Sequence, residues 1–143
     1  MMATFTAGDK FANCFVCSPT NPRGLHLKIT TVDGKAHTEI VPEDYMCGLN
    51  GLMHGGFSLM LMDEVMYYAV EGYGVDSVTL HSECDFKTRS YRSQVSGGSV
   101  GHKKRGKKFY TEGVLKDGDT VIVTATGLYY EMDMSVFLTD DQK

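Results

Sequence analysis

His54, Gly55, Gly56, Asp63 and Glu64 crowd into one stretch, LMHGGFSLMLMDEVMYYAV, running from Leu52 to Val70. The stretch is apolar enough to be a buried helix, yet it carries two carboxylates in its middle. Acidic side chains are seldom buried unless paired, because taking an isolated carboxylate out of water costs several kcal/mol. The ordinary explanation is an acid that points to an edge or pairs with a base such as Arg89 or Arg92. The neighbouring residues favour chemistry. Gly55 and Gly56 stand where the helix should begin, and the first turn of a helix offers unpaired N–H groups at the positive end of its dipole. Lacking side chains, these residues let a ligand oxygen come close to the backbone, as an oxyanion hole for a carbonyl under attack would require. The glycines would equally serve a tight turn, and His54 either donates to a substrate or caps and supports the loop.

Gly56 and Asp63 are seven residues apart, so they share nearly one face of the helix but stand roughly 10 Å apart along it. A base and an oxyanion hole acting on one carbonyl must each lie within about 3 Å of neighbouring reacting atoms. One helix does not satisfy both. Two antiparallel helices in a two-fold dimer would, by setting Gly56 of one subunit against Asp63 of the other. Successive helical residues are about 100° apart, so only one of Asp63 and Glu64 can face such a site, and the spacing from the glycines favours Asp63.

Around this helix the chain alternates in strand fashion. LHLKITTVDGKAHTEIVP reads as a hairpin about Asp33-Gly34, and EDYMCGLNGLMHGG as a loop that feeds the helix. After the helix, DSVTLHSECDFKTRS and the segments 94–103, 107–116 and 120–131 read as four strands, with Arg105-Gly106 and Asp117-Gly118 as turns. Two strands, one long helix and four strands make an α+β fold, with an antiparallel sheet wrapped around a single central helix.

At 143 residues the chain is one domain, with residues 1–23 an extension containing the Cys14/Cys17 pair and residues 133–143 a polar tail expected to fray. Composition is that of a soluble globular protein, 42% hydrophobic and 22% charged, without an uninterrupted apolar run long enough to span a bilayer. The N-terminus lacks the pattern of a secretory signal, so a cytoplasmic location is expected. A net charge of -4 argues against nucleic acid as the main partner, although HKKRGKK, 102–108, concentrates positive charge. CFVC, 14–17, is half of a zinc site; a four-ligand site would need Cys47, Cys84 or a histidine brought in by the fold. In a reducing compartment the pair reads more simply as two thiols in a tight turn, and no metal is expected.

HGGFSLMLMDE resembles the His-Gly-Gly, six residues, Asp pattern of hotdog-fold acyl-CoA thioesterases of the PaaI-like, phenylacetate-pathway group, and CFVCSPTNPRGL is similar to the opening of many of its members. The resemblance covers the chain from Cys14 to about Met132. It implies hydrolysis of an acyl-CoA to the free acid and coenzyme A in a dimer or a dimer of dimers, without cofactor or membrane. By that resemblance Asp63 is the general base or nucleophile, acting from the neighbouring subunit, the Gly56 amide polarises the thioester carbonyl, and Thr79 helps hold water, with His54, Gly55 and Glu64 beside them. The chain departs from the family where DFKTRSYRS, 85–93, replaces the usual apolar-Arg-Pro strand ending.

Expected substrate contacts are Asn50, Phe57, Tyr67 and Arg89, with Lys103, Lys104 and Arg105 gripping the coenzyme's phosphates. The methionines of the helix are core, and would also suit an adaptable acyl pocket. Three rival readings exist. One is a hotdog module that binds acyl-CoA without cleaving it. A dehydratase is another, for which His54 before two glycines is a poor match. The third makes Cys14-Phe15-Val16-Cys17 a zinc or redox element and HKKRGKK a nucleic-acid patch.

Overall fold

The structure, a computed structural model, describes residues 11–88 and 95–133; Arg89, Arg92 and the expected frayed tail beyond Asp133 lie outside the described residues. Six strands and one long helix follow in the order β1 (Thr30–Val32), β2 (Lys35–Ile40), α1 (Gly55–Glu71), β3 (Ser77–Phe86), β4 (Val95–Arg105), β5 (Lys108–Asp117) and β6 (Thr120–Glu131). The strands form one antiparallel sheet, ordered β1-β2-β4-β5-β6-β3. This is the architecture expected from the sequence: two strands, a helix, four strands.

Two local readings shift. The first strand starts at Thr30, not at Leu25, because the backbone of Leu25 and Leu27 is already taken: their amides donate to Phe15 O at 2.7 Å and Val16 O at 2.8 Å. The cysteine-bearing turn thus claims this segment before the sheet can. Arg105 is the last residue of β4 rather than a turn residue, so HKKRGKK is mostly hairpin strand with its turn at Gly106 and Lys107. The Asp33-Gly34 turn is as read, with φ of 50° and 74° at its two residues, the positive pair that a tight hairpin between right-twisted strands requires.

Helix α1 lies across the inner face of the sheet. Leu61, Met62, Val65, Met66, Tyr68, Ala69 and Val70 of the helix and Val95, Phe109, Leu115, Val123 and Tyr129 of the sheet are buried in one core. Three strands carry a glycine directly beneath the helix. A Cβ at Gly97 would stand 3.1 Å from Met62 Cε, at Gly113 3.3 Å from Met66 Cγ, and at Gly127 3.1 Å from Met66 Cε. The missing side chains let the methionines sink onto the sheet, so the helix rides close. Met62 and Met66 therefore belong to the core and do not line an open pocket.

The glycine seat is testable. At Gly127 a Cβ would also come within 2.7 Å of the Tyr129 ring. Gly127→Ala should cost about 1–3 kcal/mol of stability, the usual penalty for overpacking a full core, read as a lowered midpoint in urea denaturation.

Candidate active site

Asp63 sits at mid-helix, over the junction of β3 and β6. Thr79 of β3 and Tyr129 of β6 are directly opposed in register, and both reach up to the same carboxylate oxygen. Thr79 Oγ1 donates to Asp63 Oδ1 at 3.0 Å, and the Tyr129 hydroxyl donates to it at 2.7 Å while lying 2.9 Å from the Asp63 carbonyl. Both side-chain bonds fall on Oδ1, so among the described residues Oδ2 is left for other partners. Tyr129 is fully buried. Burial, together with the Asp63 charge, pushes its hydroxyl well above the ordinary tyrosine range and keeps it a donor. The register of β3 slips between Thr79 and His81, a bulge that leaves Leu80 unpaired directly beside the site.

At the start of α1, His54, Gly55 and Gly56 are all exposed. His54 is the N-cap residue: its Nδ1 accepts the Gly56 N–H at 2.9 Å, and its carbonyl accepts the Phe57 and Ser58 amides. Of the two roles open to His54 in the sequence, the structure displays capping, and the Gly56 amide is occupied by that ring. Phe86, at the far end of β3, packs beside Gly55; a Cβ there would stand 3.4 Å from its ring. Strand β3 therefore links the two halves of the candidate chemistry, with Thr79 at the carboxylate and Phe86 at the glycines.

Glu64 turns to the other side. Its carboxylate stands 3.8 Å from Cys14 Sγ. Burial raises the Glu64 carboxyl to about 7. The Cys17 thiol, hydrogen-bonded to Cys14, lowers Cys14 to about 5, and Cys17 itself is pushed up. Asp63 and Glu64 thus serve different neighbourhoods, as their 100° separation demands.

The remaining predicted contacts scatter. Asn50 is exposed in the turn before the helix, and Phe57 is half-buried in its first turn. Tyr67 packs edge-on against Phe11 and Tyr68, with ring centroids 5.6 and 5.5 Å away, and is largely core. Lys104 lies over the Phe109 ring, 5.3 Å from its centroid, while His102 packs at a tilt against Tyr73, just past the end of α1. The basic hairpin with Lys103, Lys104 and Arg105 therefore sits by the C-terminal end of the helix, the opposite end from His54. Lys103 also lines a cavity of about 590 Å³ with Tyr110 and Glu112. Arg89 lies outside the described residues. Sequence reasoning missed Tyr129; alternation along β6 narrows the inward tyrosine to Tyr129 or Tyr130, but only the sheet register puts it beneath Asp63.

A family model described as the thioesterase superfamily matches residues 50–95, the span that holds His54, both glycines, Asp63 and Thr79. The chain has the hotdog fold. Among solved structures it is similar to the Escherichia coli PaaI protein from the phenylacetic acid degradation operon, with 15% identity, a TM-score of 0.70, and 76% of this chain and 81% of that one covered. A phenylacetic acid degradation-related protein from Ralstonia eutropha JMP134 is 22% identical with a TM-score of 0.67 over 74% of this chain and 85% of its own. A thioesterase from Haemophilus influenzae is 12% identical with a TM-score of 0.73, covering 82% and 86%. No curated protein matches the sequence. Among the described residues no helix is long and apolar enough to cross a membrane.

The hold on Asp63 can be measured. Tyr129→Phe keeps the packing but removes a charge-assisted donor, and should lower stability by about 1–3 kcal/mol in urea denaturation.

Proposed function

We propose that this protein hydrolyses an acyl-CoA thioester to the free acid and coenzyme A, using Asp63 of one subunit and the glycine start of the helix of another. The observation that carries this reading is the Asp63 carboxylate itself, gripped at Oδ1 by Thr79 and Tyr129 with Oδ2 free among the described residues, on the helix that begins at exposed Gly55-Gly56. Oδ2 either takes a proton from a water that attacks the thioester carbonyl carbon, and passes it to the departing sulfur, or attacks that carbon itself to give a mixed anhydride that water then hydrolyses to the free acid. The N–H groups of the glycine turn receive the developing oxyanion, and the sulfur leaves as the thiol. His54 must release the Gly56 amide for that, so its ring moves as the acyl carbonyl arrives.

The edge strand supports the dimer. β3 is ten residues long and lies at the sheet border, with Leu80 and Phe86 53% and 52% exposed, an edge suited to pairing with another strand. If a second copy pairs antiparallel across it, with the two-fold near Ser82, the Thr79 end of one strand meets the Phe86 end of the other. Asp63 of one chain then approaches Gly55-Gly56 of its partner, which resolves the roughly 10 Å separation along a single helix. The helices run antiparallel in that arrangement, so the basic hairpin lies toward the partner's glycine end, where it would meet the coenzyme's phosphates.

The test is chromatographic measurement of coenzyme A released from a panel of aromatic, short-chain and long-chain acyl-CoAs. Asp63→Asn should reduce turnover at least about a hundredfold with the dimer intact. Binding of acyl-CoA without turnover by the wild type would replace the reading with that of a binding module. The shared site has its own signature. Asp63→Asn and Gly56→Val chains, each inactive alone, should recover about a quarter of wild-type activity when co-refolded in equal amounts, because half the dimers are mixed and each carries one intact site. Absence of recovery would place both groups in the same chain.

A further inference from the structure

The Cys14/Cys17 pair remains unused by this reaction, and the fold gives it a third companion that the sequence did not suggest. Cys14 Sγ, Cys17 Sγ and a carboxylate oxygen of Glu64 lie within 4.8 Å of one another. Neither Cys47, Cys84 nor a histidine joins them among the described residues. All three are partly buried, and among the described residues no lysine or arginine forms an ion pair with Glu64. Two sulfurs and a carboxylate thus converge with no positive charge between them, an arrangement that a cation would satisfy.

We propose that Cys14, Cys17 and Glu64 bind one zinc ion, with water in the fourth position. The sulfur–oxygen spacing suits it: bonds of about 2.3 Å to sulfur and 2.1 Å to oxygen in a tetrahedron put sulfur and oxygen roughly 3.6 Å apart, and Cys14 Sγ to Glu64 Oε1 is 3.8 Å, with Cys17 Sγ within 4.8 Å of both. Each sulfur already has its outer support. The Cys17 amide donates to Cys14 Sγ at 3.4 Å, and the Tyr68 hydroxyl donates to Cys17 Sγ at 3.1 Å. Such donors orient thiolate ligands and offset their charge. Paired thiolates with one hard carboxylate in tetrahedral spacing select zinc over calcium or magnesium, which prefer all-oxygen shells. On binding, every proton still held by Cys14, Cys17 and Glu64 passes to solvent, and no redox change occurs. The ion would fasten the N-terminal turn to α1, one residue from Asp63 but on the other side of the helix. Its existence is independent of the proposed hydrolysis.

The full-length protein, reduced and stripped with chelator, is titrated with zinc, desalted and analysed for bound metal, and separately with Co²⁺ for thiolate-to-cobalt charge-transfer absorption. About one zinc per chain and a clear thiolate band are expected. Cys14→Ser with Cys17→Ser should retain less than about a tenth of that metal, and Glu64→Gln should bind it at least about tenfold more weakly. Less than about a fifth of a zinc per chain in the wild type overturns the proposal, as does metal binding undiminished in the double cysteine variant. Should the double variant fail to fold by circular dichroism, the wild-type cobalt spectrum decides, and lack of a thiolate band rejects the site.

Discussion

The hydroxyl of Tyr129 beneath Asp63 is the contact on which the rest of the structure depends. A carboxylate in an otherwise apolar helix is tolerable only with donors close at hand, and among the described residues they come from the sheet. For the hydroxyl to lie 2.7 Å from Oδ1, the helix must sit low, and it sits low because Gly97, Gly113 and Gly127 leave room for Met62 and Met66. The polar grip and the apolar seat thus fix the same distance. Either alone would leave the helix free to slide or lift.

The consequence is a division of labour around α1. Its sheet-facing stripe is core, its Asp63 edge meets β3, and its Glu64 edge meets the cysteine-bearing turn. Adjacent acids in the sequence therefore end in unrelated surroundings. One is held by neutral hydroxyl donors and, among the described residues, keeps an oxygen available. The other faces thiols in a partly closed recess, where burial favours its proton.

Much of this was legible in the chain. Alternation and the Asp-Gly turns gave the order of strands, and the length and greasiness of 52–70 gave the central helix. The 100° step between successive helical residues alone separates Asp63 from Glu64. What the chain concealed depends on register and on competition between partners. Which of Tyr129 and Tyr130 points inward is fixed by pairing with β3 and β5, 66 residues from Asp63 in sequence. The late start of β1 follows from a contest for the backbone of Leu25 and Leu27 that the cysteine turn wins, which no local propensity records. His54 offered two roles on equal terms because a ring two residues from an amide reaches either inward or outward, and only the folded loop chooses.

That choice makes the helix start a site with its own resident occupant. The His54 ring is tethered two residues from the amide it caps, so its effective concentration there is roughly millimolar or greater, as for any ligand on a short tether. An incoming acceptor must outcompete it, and a weak, untethered one such as a stray carboxylate or solvent anion will not. A molecule held elsewhere along its length gains the same advantage of tethering and can displace the ring. Under the proposed reaction the cap would filter by size, admitting ligands with a long handle and turning away small mimics of their reactive end.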